Sequence, residues 1–258
     1  TSGEAQTAAV RAIVEHVRGH FAQFPQLAEL PQPFRVDPLP GRIGLSEVHA
    51  LPLLRDGMAE GPVVAVGGDR LSRITIDWPE AGGFVVVGDR RSGRTHALAA
   101  IAHQLGWRGT GFIVVAREGS ILAEVARSHG AAVLAPQSTE EQVAEALAAG
   151  EAPLTVVVDD SETIRDTPVD RALSAARGQL RFIVAVGADS AGSSLTMAFT
   201  EAKKGRIGLL LSPPSTIVGT QVFGQQLPRT YIGRAAPGAG VLFVDGSYMP
   251  VQVPDLTA

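Results

Sequence analysis

The sequence predicts an α/β fold: a mainly parallel β-sheet with helices on both faces, an antiparallel edge and a C-terminal hairpin. Three observations predict it. From residue 84 to residue 211, short Val/Ile-rich runs alternate with apolar-periodic helical segments, the pattern of βα units whose strands must lie parallel. Those runs are nearly continuous in apolar residues, as strands covered on both faces are. One of them, Phe84-Val85-Val86-Val87, leads directly into a glycine-bounded loop and then a helix.

The elements follow in order. Residues Glu4 to Phe24 predict a helix, with Ala8, Ala9, Ala12, Ile13, His16, Val17 and Phe21 on one stripe and Ser2 as a candidate cap. Pro25, Pro31, Pro33, Pro38 and Pro40 then make an extended strap. We divide the chain into this helix and strap (1–40) and an α/β domain (41–258). Residues 41–61 read as loop. Val63 to Val66 and Ile74 to Ile76 flank Gly67-Gly68-Asp69-Arg70 as a hairpin at the sheet edge.

The main series comes next. The strand at 84–87 precedes a helix whose Ala97, Leu98, Ile101, Ala102 and Leu105 share a stripe, with Gly106 expected to end it. Strands at 110–116 and 132–135 lead to helices near 119–129 and 138–149. The strand Leu154 to Val158 leads to a helix near 167–177, and Phe182 to Val186 to one near 193–202. The strand Ile207 to Leu211 closes the series. Val241 to Val244 and Tyr248 to Val253, on either side of Asp245-Gly246, signal an antiparallel hairpin.

The loop after residue 87 carries the chemistry. Gly88-Asp89-Arg90-Arg91-Ser92-Gly93-Arg94-Thr95 has the spacing of the Walker A phosphate loop, G-x-x-x-x-G-K-[ST], with Arg94 in place of the lysine. A triphosphate needs backbone N–H groups aimed inward and the positive end of a helix dipole. Gly88 and Gly93 permit the dihedrals, and Thr95 offers a hydroxyl to Mg²⁺. Arg94 keeps the charge but is longer, planar and forked. Alone, the run is an ordinary turn with solvated arginines; the strand before it and the apolar-periodic helix after it argue for a phosphate site. The candidate nucleotide-binding residues are Gly88, Asp89, Arg90, Arg91, Ser92, Gly93, Arg94, Thr95 and His96.

About sixty-five residues on, Leu154-Thr155-Val156-Val157-Val158 ends in Asp159-Asp160, the form of a Walker B strand. Asp159 is the candidate magnesium ligand with Thr95, and Asp160 the candidate catalytic carboxylate that polarises water. Acids at a strand end are common, so this motif is informative only through its position after the loop. ATP and Mg²⁺ are the cofactors it implies. The two elements must then converge, with the strands at 84–87 and 154–158 adjacent or one strand apart.

Composition narrows the classes. The chain has 258 residues, 45% hydrophobic and 19% charged, enough for one large or two small domains. It has no cysteine, hence no disulfide or thiolate metal site. His16, His20, His49, His96, His103 and His129 show no metal-ligand spacing. A net charge of −4, no basic stripe and few aromatics argue against a DNA-gripping surface. No apolar run reaches membrane-spanning length, and no signal peptide is visible. The chain begins without methionine, so a longer protein is expected.

The order of elements resembles the FtsK/SpoIIIE family of RecA-like motor ATPases, most like an ATPase module of EccC, the motor of type VII secretion. The proline-rich lead-in to Gly44-Leu45, the edge hairpin, the Asp159-Asp160 pair, Gly208-Leu209-Leu210-Leu211-Ser212-Pro213 with Leu227-Pro228, and Pro237-Gly238-Ala239-Gly240 with Val251-Gln252-Val253 carry the resemblance. It implies a RecA-like fold, tandem ATPase modules as partners and a hexameric assembly. It also implies WXG-type secreted substrates recognised by a C-terminal signal, and a cytoplasmic site at the inner face of the membrane, tethered by upstream segments. Arg94, Ala239 in place of the arginine of "PGRG", and Gly187-Ala188-Asp189 where a polar sensor would stand depart from the pattern. They imply a degenerate ATPase module with a regulatory or substrate-docking role. The alternative is an active motor for protein or DNA translocation, with DNA disfavoured because no basic reading domain follows.

Overall fold

The computed structural model describes residues 2–21, 23–24, 36–54, 61–77, 82–150, 152–193, 196–233, 236–244 and 246–256, with backbone alone at Ser2, Glu4 and Phe21. Pro25, Pro31 and Pro33 of the strap and Asp245 of the C-terminal turn lie outside the described residues, as do the side chains of Ser2 and Phe21. The chain divides into two units, Thr1–Arg35 and Val36–Ala258. In the first, helix α1 spans Ser2–Phe21, ending before the predicted Phe24. Its Val10, Ile13, Val14 and Val17 recur at helical spacing and are exposed.

The second unit is built on one ten-stranded sheet in the order β2-β1-β10-β9-β8-β3-β7-β6-β4-β5. The strands are β1 (Val63–Gly67), β2 (Ser72–Thr75), β3 (Phe84–Gly88), β4 (Phe112–Val115), β5 (Val133–Leu134), β6 (Leu154–Val158), β7 (Leu180–Gly187), β8 (Gly208–Leu211), β9 (Ala239–Val244) and β10 (Ser247–Gln252). From β8 through β5 every neighbouring pair is parallel. From β8 outward through β9, β10 and β1 to β2 every pair is antiparallel. The predicted mainly parallel sheet, edge hairpin and C-terminal hairpin are all present.

The parallel strands are mostly apolar because each face has its own helical layer. Val85, Val87, Val156, Val158 and Val184 face one side, with Val143, Leu173, Ala198 and Val222 from its helices. Phe84, Val86, Val157, Ile183 and Leu209 face the other, with Leu98, Ile101, Leu105 and Leu122. Alternation along each strand therefore feeds two cores and leaves few polar positions, the buried Thr155 of β6 being one.

The helices of this unit are α2 (Leu45–His49), α3 (Arg94–Trp107), α4 (Ile121–Ser128), α5 (Glu140–Ala148), α6 (Pro168–Ala176), α7 (Met197–Lys203) and α8 (Ile217–Phe223). Side chains set several starts: Ser120 accepts from the N–H of Ala123, Thr139 from Gln142, Thr167 from Asp170 and Thr196 from Phe199. The sequence reading missed α2, α8 and the 3₁₀ turn Ser161–Ile164, which are too short for apolar periodicity to register.

Helix α3 also corrects the sequence reading. It does not end at Gly106 but continues to Trp107, and Gly109 takes the left-handed conformation beyond it. Gly106 is small for another reason: a Cβ there would lie 2.3 Å from the His129 ring. Within α3, Gln104 is fully buried. It accepts from the N–H of Val63 at 2.8 Å and donates to the Val63 carbonyl at 2.9 Å, pinning the helix to β1.

Candidate functional site

The carboxyl ends of β3, β7 and β6 meet on one edge of the parallel block, with β7 between the other two. In open α/β sheets this is where ligands bind. Thr95, in the first turn of α3, and Asp159, just past β6, touch there: the Thr95 hydroxyl donates to Asp159 Oδ2 at 2.8 Å. The two candidate magnesium ligands thus lie side by side. Asp159 is only 8% exposed, and its Oδ1 accepts the N–H of Asp160 at 3.1 Å. Burial pushes the Asp159 carboxyl above its ordinary range, opposed by the Thr95 hydrogen bond and reinforced by the neighbouring Asp160 charge.

The loop backbone has the expected shape. Arg91 (φ 67°) and Gly93 (φ 103°) are left-handed, a conformation that turns successive N–H groups into a concavity. A Cβ on Gly88 would lie 2.4 Å from Ser92 Oγ and 2.9 Å from the Leu211 carbonyl, so the first glycine is required by close approach. Ser92 Oγ is buried without a hydrogen-bond partner inside the protein. An orphaned hydroxyl within a loop of this shape fits an anion that would accept from it. Asp89, Arg90, Arg91 and His96 are exposed and form the rim rather than the floor.

Arg94 departs from what a lysine does in this position. Its Nη2 sits 2.9 Å from Asp160 Oδ1 and its Nη1 3.9 Å from Glu162 Oε1, with the side chain only 11% exposed. The second oxygen of Asp160 lies 3.4 Å from Nη2 of Arg117. Both oxygens of the candidate catalytic carboxylate are therefore engaged by guanidinium groups. Glu162 Oε1 also accepts the N–H of Gly187 at 3.2 Å, where a Cβ would crowd it at 2.9 Å. Gly187, in the stretch read as lacking a polar sensor, thus supplies a backbone donor to this network.

Sequence reasoning missed Glu162 and Arg117. The signals existed: Glu162 follows Asp159-Asp160 within one short turn, and Arg117 stands just past the carboxyl end of β4. Ala239, read as replacing an arginine, opens β9, and its carbonyl accepts from the N–H of Ser212 at 3.1 Å.

Two cavities bear on ligand size. One of about 340 Å³ adjoins the loop and is lined by Arg42, Gly93, His96, Pro237, Gln252 and Asp255. Another, of about 310 Å³, is lined by Gly106, Gly111, Phe112, His129 and Leu154 at the amino ends of β4 and β6, remote from the loop. Among the described residues no group of three or more His, Cys, Asp or Glu could hold a metal ion. A loop-bound Mg²⁺ needs only one or two protein ligands besides phosphate and water, which Thr95 and Asp159 fit. No helix among the described residues is long and apolar enough to cross a membrane.

No family model matches the chain, and no curated protein matches it. Solved structures do. A protein described as an ATPase is 19% identical, with a TM-score of 0.64, over 84% of this chain and 96% of that one. The cytoplasmic domain of the Thermomonospora curvata type VII secretion ATPase EccC is 20% identical with a TM-score of 0.64, over 86% of this chain and 29% of that one. ATPases 2 and 3 of the same EccC, in complex with a signal sequence peptide, are 18% identical with a TM-score of 0.60, over 89% of this chain and 46% of that one. The chain has the fold of these ATPase domains and spans less than half the length of the two EccC chains.

Proposed function

We propose that this chain is a nucleotide-binding module of a larger secretion motor of the EccC kind, weak or inactive in hydrolysis, with a regulatory or substrate-docking role. One observation carries the reading. Arg94, which replaces the phosphate-loop lysine, is paired with Asp160, so the loop cation and the candidate base engage each other. Phosphoryl transfer depends on positioning both groups around the phosphate and the attacking water.

The binding half of the proposal draws on the loop. Its left-handed residues, the Ser92 hydroxyl and the amino end of α3 would hold phosphates, Thr95 and Asp159 would share Mg²⁺, and the 340 Å³ cavity would take the nucleoside. An ion held by Thr95 and Asp159 would supply positive charge against that of the phosphates. The motor context draws on fold likeness alone. Partners would be neighbouring ATPase modules in a hexamer and a secreted WXG-type protein presenting a C-terminal signal; membrane attachment would come from segments outside this sequence.

A second reading, an active motor ATPase, is favoured by the intact Thr95–Asp159 contact. Two measurements separate them: the melting temperature with millimolar Mg-ATP, and ATP turnover. A ligand that binds only the folded state raises the melting temperature. We expect a rise with little turnover. An unchanged melting curve would remove nucleotide binding, and robust turnover would favour the motor.

A further inference from the structure

We propose that Arg94 and Arg117 form a two-guanidinium clamp for the terminal phosphate of a nucleoside triphosphate, and that Asp160 sits in this clamp as a tethered stand-in for that phosphate. The inference rests on the nucleotide reading above and names the residues that would hold the last phosphate.

Two arginines, Arg94 at the start of α3 and Arg117 just past β4, converge on the two oxygens of one carboxylate, at 2.9 and 3.4 Å. Such a geometry is an anion site, and here the anion belongs to the chain. A terminal phosphate carries more charge and one more acceptor oxygen than a carboxylate, and guanidinium forks match it in geometry. Arg94 also has a spare donor: its Nη1 is buried, lacks a hydrogen-bond partner, and stands 3.9 Å from Glu162. The Arg117 side chain is 67% exposed, free to follow an incoming ligand, and Asp160 is 25% exposed, so it has room to leave.

The charges support competition. Asp159, Asp160 and Glu162 outnumber Arg94 and Arg117 by one, so an external anion must displace an internal one. Removing the charge of Asp160 leaves two acids and two guanidinium groups, with the clamp open. Neutralising any carboxylate beside a phosphate relieves repulsion and tightens binding to some degree, so the stand-in is identified by a gain that depends on Arg117. A carboxylate that supported Mg²⁺ would weaken binding when neutralised. A stand-in must tighten it.

The test uses the 258-residue chain and measures by calorimetry its affinity for a non-hydrolysable ATP analogue, ADP and inorganic tripolyphosphate, each with Mg²⁺ and with EDTA. We expect Asp160→Asn to bind the ATP analogue about fivefold tighter or better, the lower end of typical coupling between competing contacts. The gain should persist in EDTA and be smaller for ADP. Arg117→Ala should weaken binding, and in the Asp160→Asn/Arg117→Ala double variant most of the gain should vanish. Asp160→Ala provides a second variant, and the unliganded melting temperature checks that each one folds. Unchanged or weaker binding in both Asp160 variants would overturn the clamp, as would a gain fully retained without Arg117. If neither nucleotide binds any form but tripolyphosphate binds Asp160→Asn more tightly, the nucleotide reading falls and the clamp stands. If nothing binds any form, both fall.

Discussion

The backbone N–H of Gly238 donates to the carbonyl of Ser92 at 2.9 Å, tying the turn before β9 to the loop between β3 and α3. Two further contacts lock the turn: Gln252 Nε2 donates to the Pro237 carbonyl at 3.1 Å, and Val253 N–H to the Gly238 carbonyl at 2.9 Å. The C-terminal hairpin thus reaches the loop through one backbone bond, from a turn that is itself held in place far along the chain.

Gly238→Ala should break this arrangement. Gly238 sits at φ 82°, and a Cβ would lie 2.7 Å from Gln252 Nε2, the group that holds Pro237. A left-handed alanine costs about 1–2 kcal/mol before any clash. We expect a melting temperature lowered by several degrees and weaker nucleotide affinity, read by thermal denaturation with and without Mg-ATP. A variant as stable as the parent, with unchanged affinity, would show that the turn does not shape the loop.

Much of the fold was legible because its strands are buried on both faces, and such strands show as apolar runs. Thr95 and Asp159 were legible because phosphate loops and acid-ended strands keep fixed spacing and order. The Arg94–Asp160–Arg117 network was not. Spacing places backbone, whereas this network depends on where long side chains turn once three strand ends have converged. Glu162 and Arg117 carry no motif and gain meaning only from the topology. Gly106 shows the same limit: a glycine near a helix end reads as a stop, yet here it makes room for the His129 ring from a neighbouring segment.

Asp159→Asn should stabilise the empty protein at neutral pH. Burial raises the Asp159 pKa above its unfolded value, so the fold favours the protonated form. Its stability contribution is then fully present below the unfolded pKa of 3.8 and is lost as pH rises through the folded pKa. Asparagine mimics the neutral state and can still accept from Asp160 N–H. The melting-temperature gain of the variant should therefore grow from acid to neutral pH without Mg²⁺, while the magnesium-dependent part of nucleotide binding is lost. A variant less stable than the parent at pH 7 would contradict this account of the Asp159 environment.

His103 and His129 give the fold an acid-sensitive contact at the far end of α3. Their ring nitrogens lie 3.1 Å apart, so one must donate and the other accept. Burial, then the proximity of His129, lowers the His103 pKa from its ordinary 6.5. For a base with a lowered pKa, stability is present above the unfolded value and lost as pH falls through the folded one. Between about pH 7.5 and 5.5, the range in which histidine charges, His103→Gln should lose less melting temperature than the parent. Parallel pH profiles for the two proteins would exclude His103 as a source of acid sensitivity.

Turnover should be slow in the parent and little improved by Arg94→Lys. The lysine of a phosphate loop acts as a compact charge on the phosphates, whereas Arg94 spends one nitrogen on Asp160 and directs the other toward Glu162. A lysine has a single ammonium and cannot make both contacts, so Arg94→Lys frees part of the acidic network and restores the usual loop cation. It does not supply an arginine at Ala239. In P-loop GTPases an arginine directed at the transferring phosphate is worth about 10³–10⁵ in rate. That loss is larger than what the loop cation alone should recover, so Arg94→Lys should change affinity more than rate. In the ligand-free variant Asp160 would retain its contact with Arg117. A purified parent chain turning over ATP at about 1 s⁻¹, the lower end of ordinary enzyme rates, with that activity abolished by Asp160→Asn, would place Asp160 as a working base and overturn the degenerate reading.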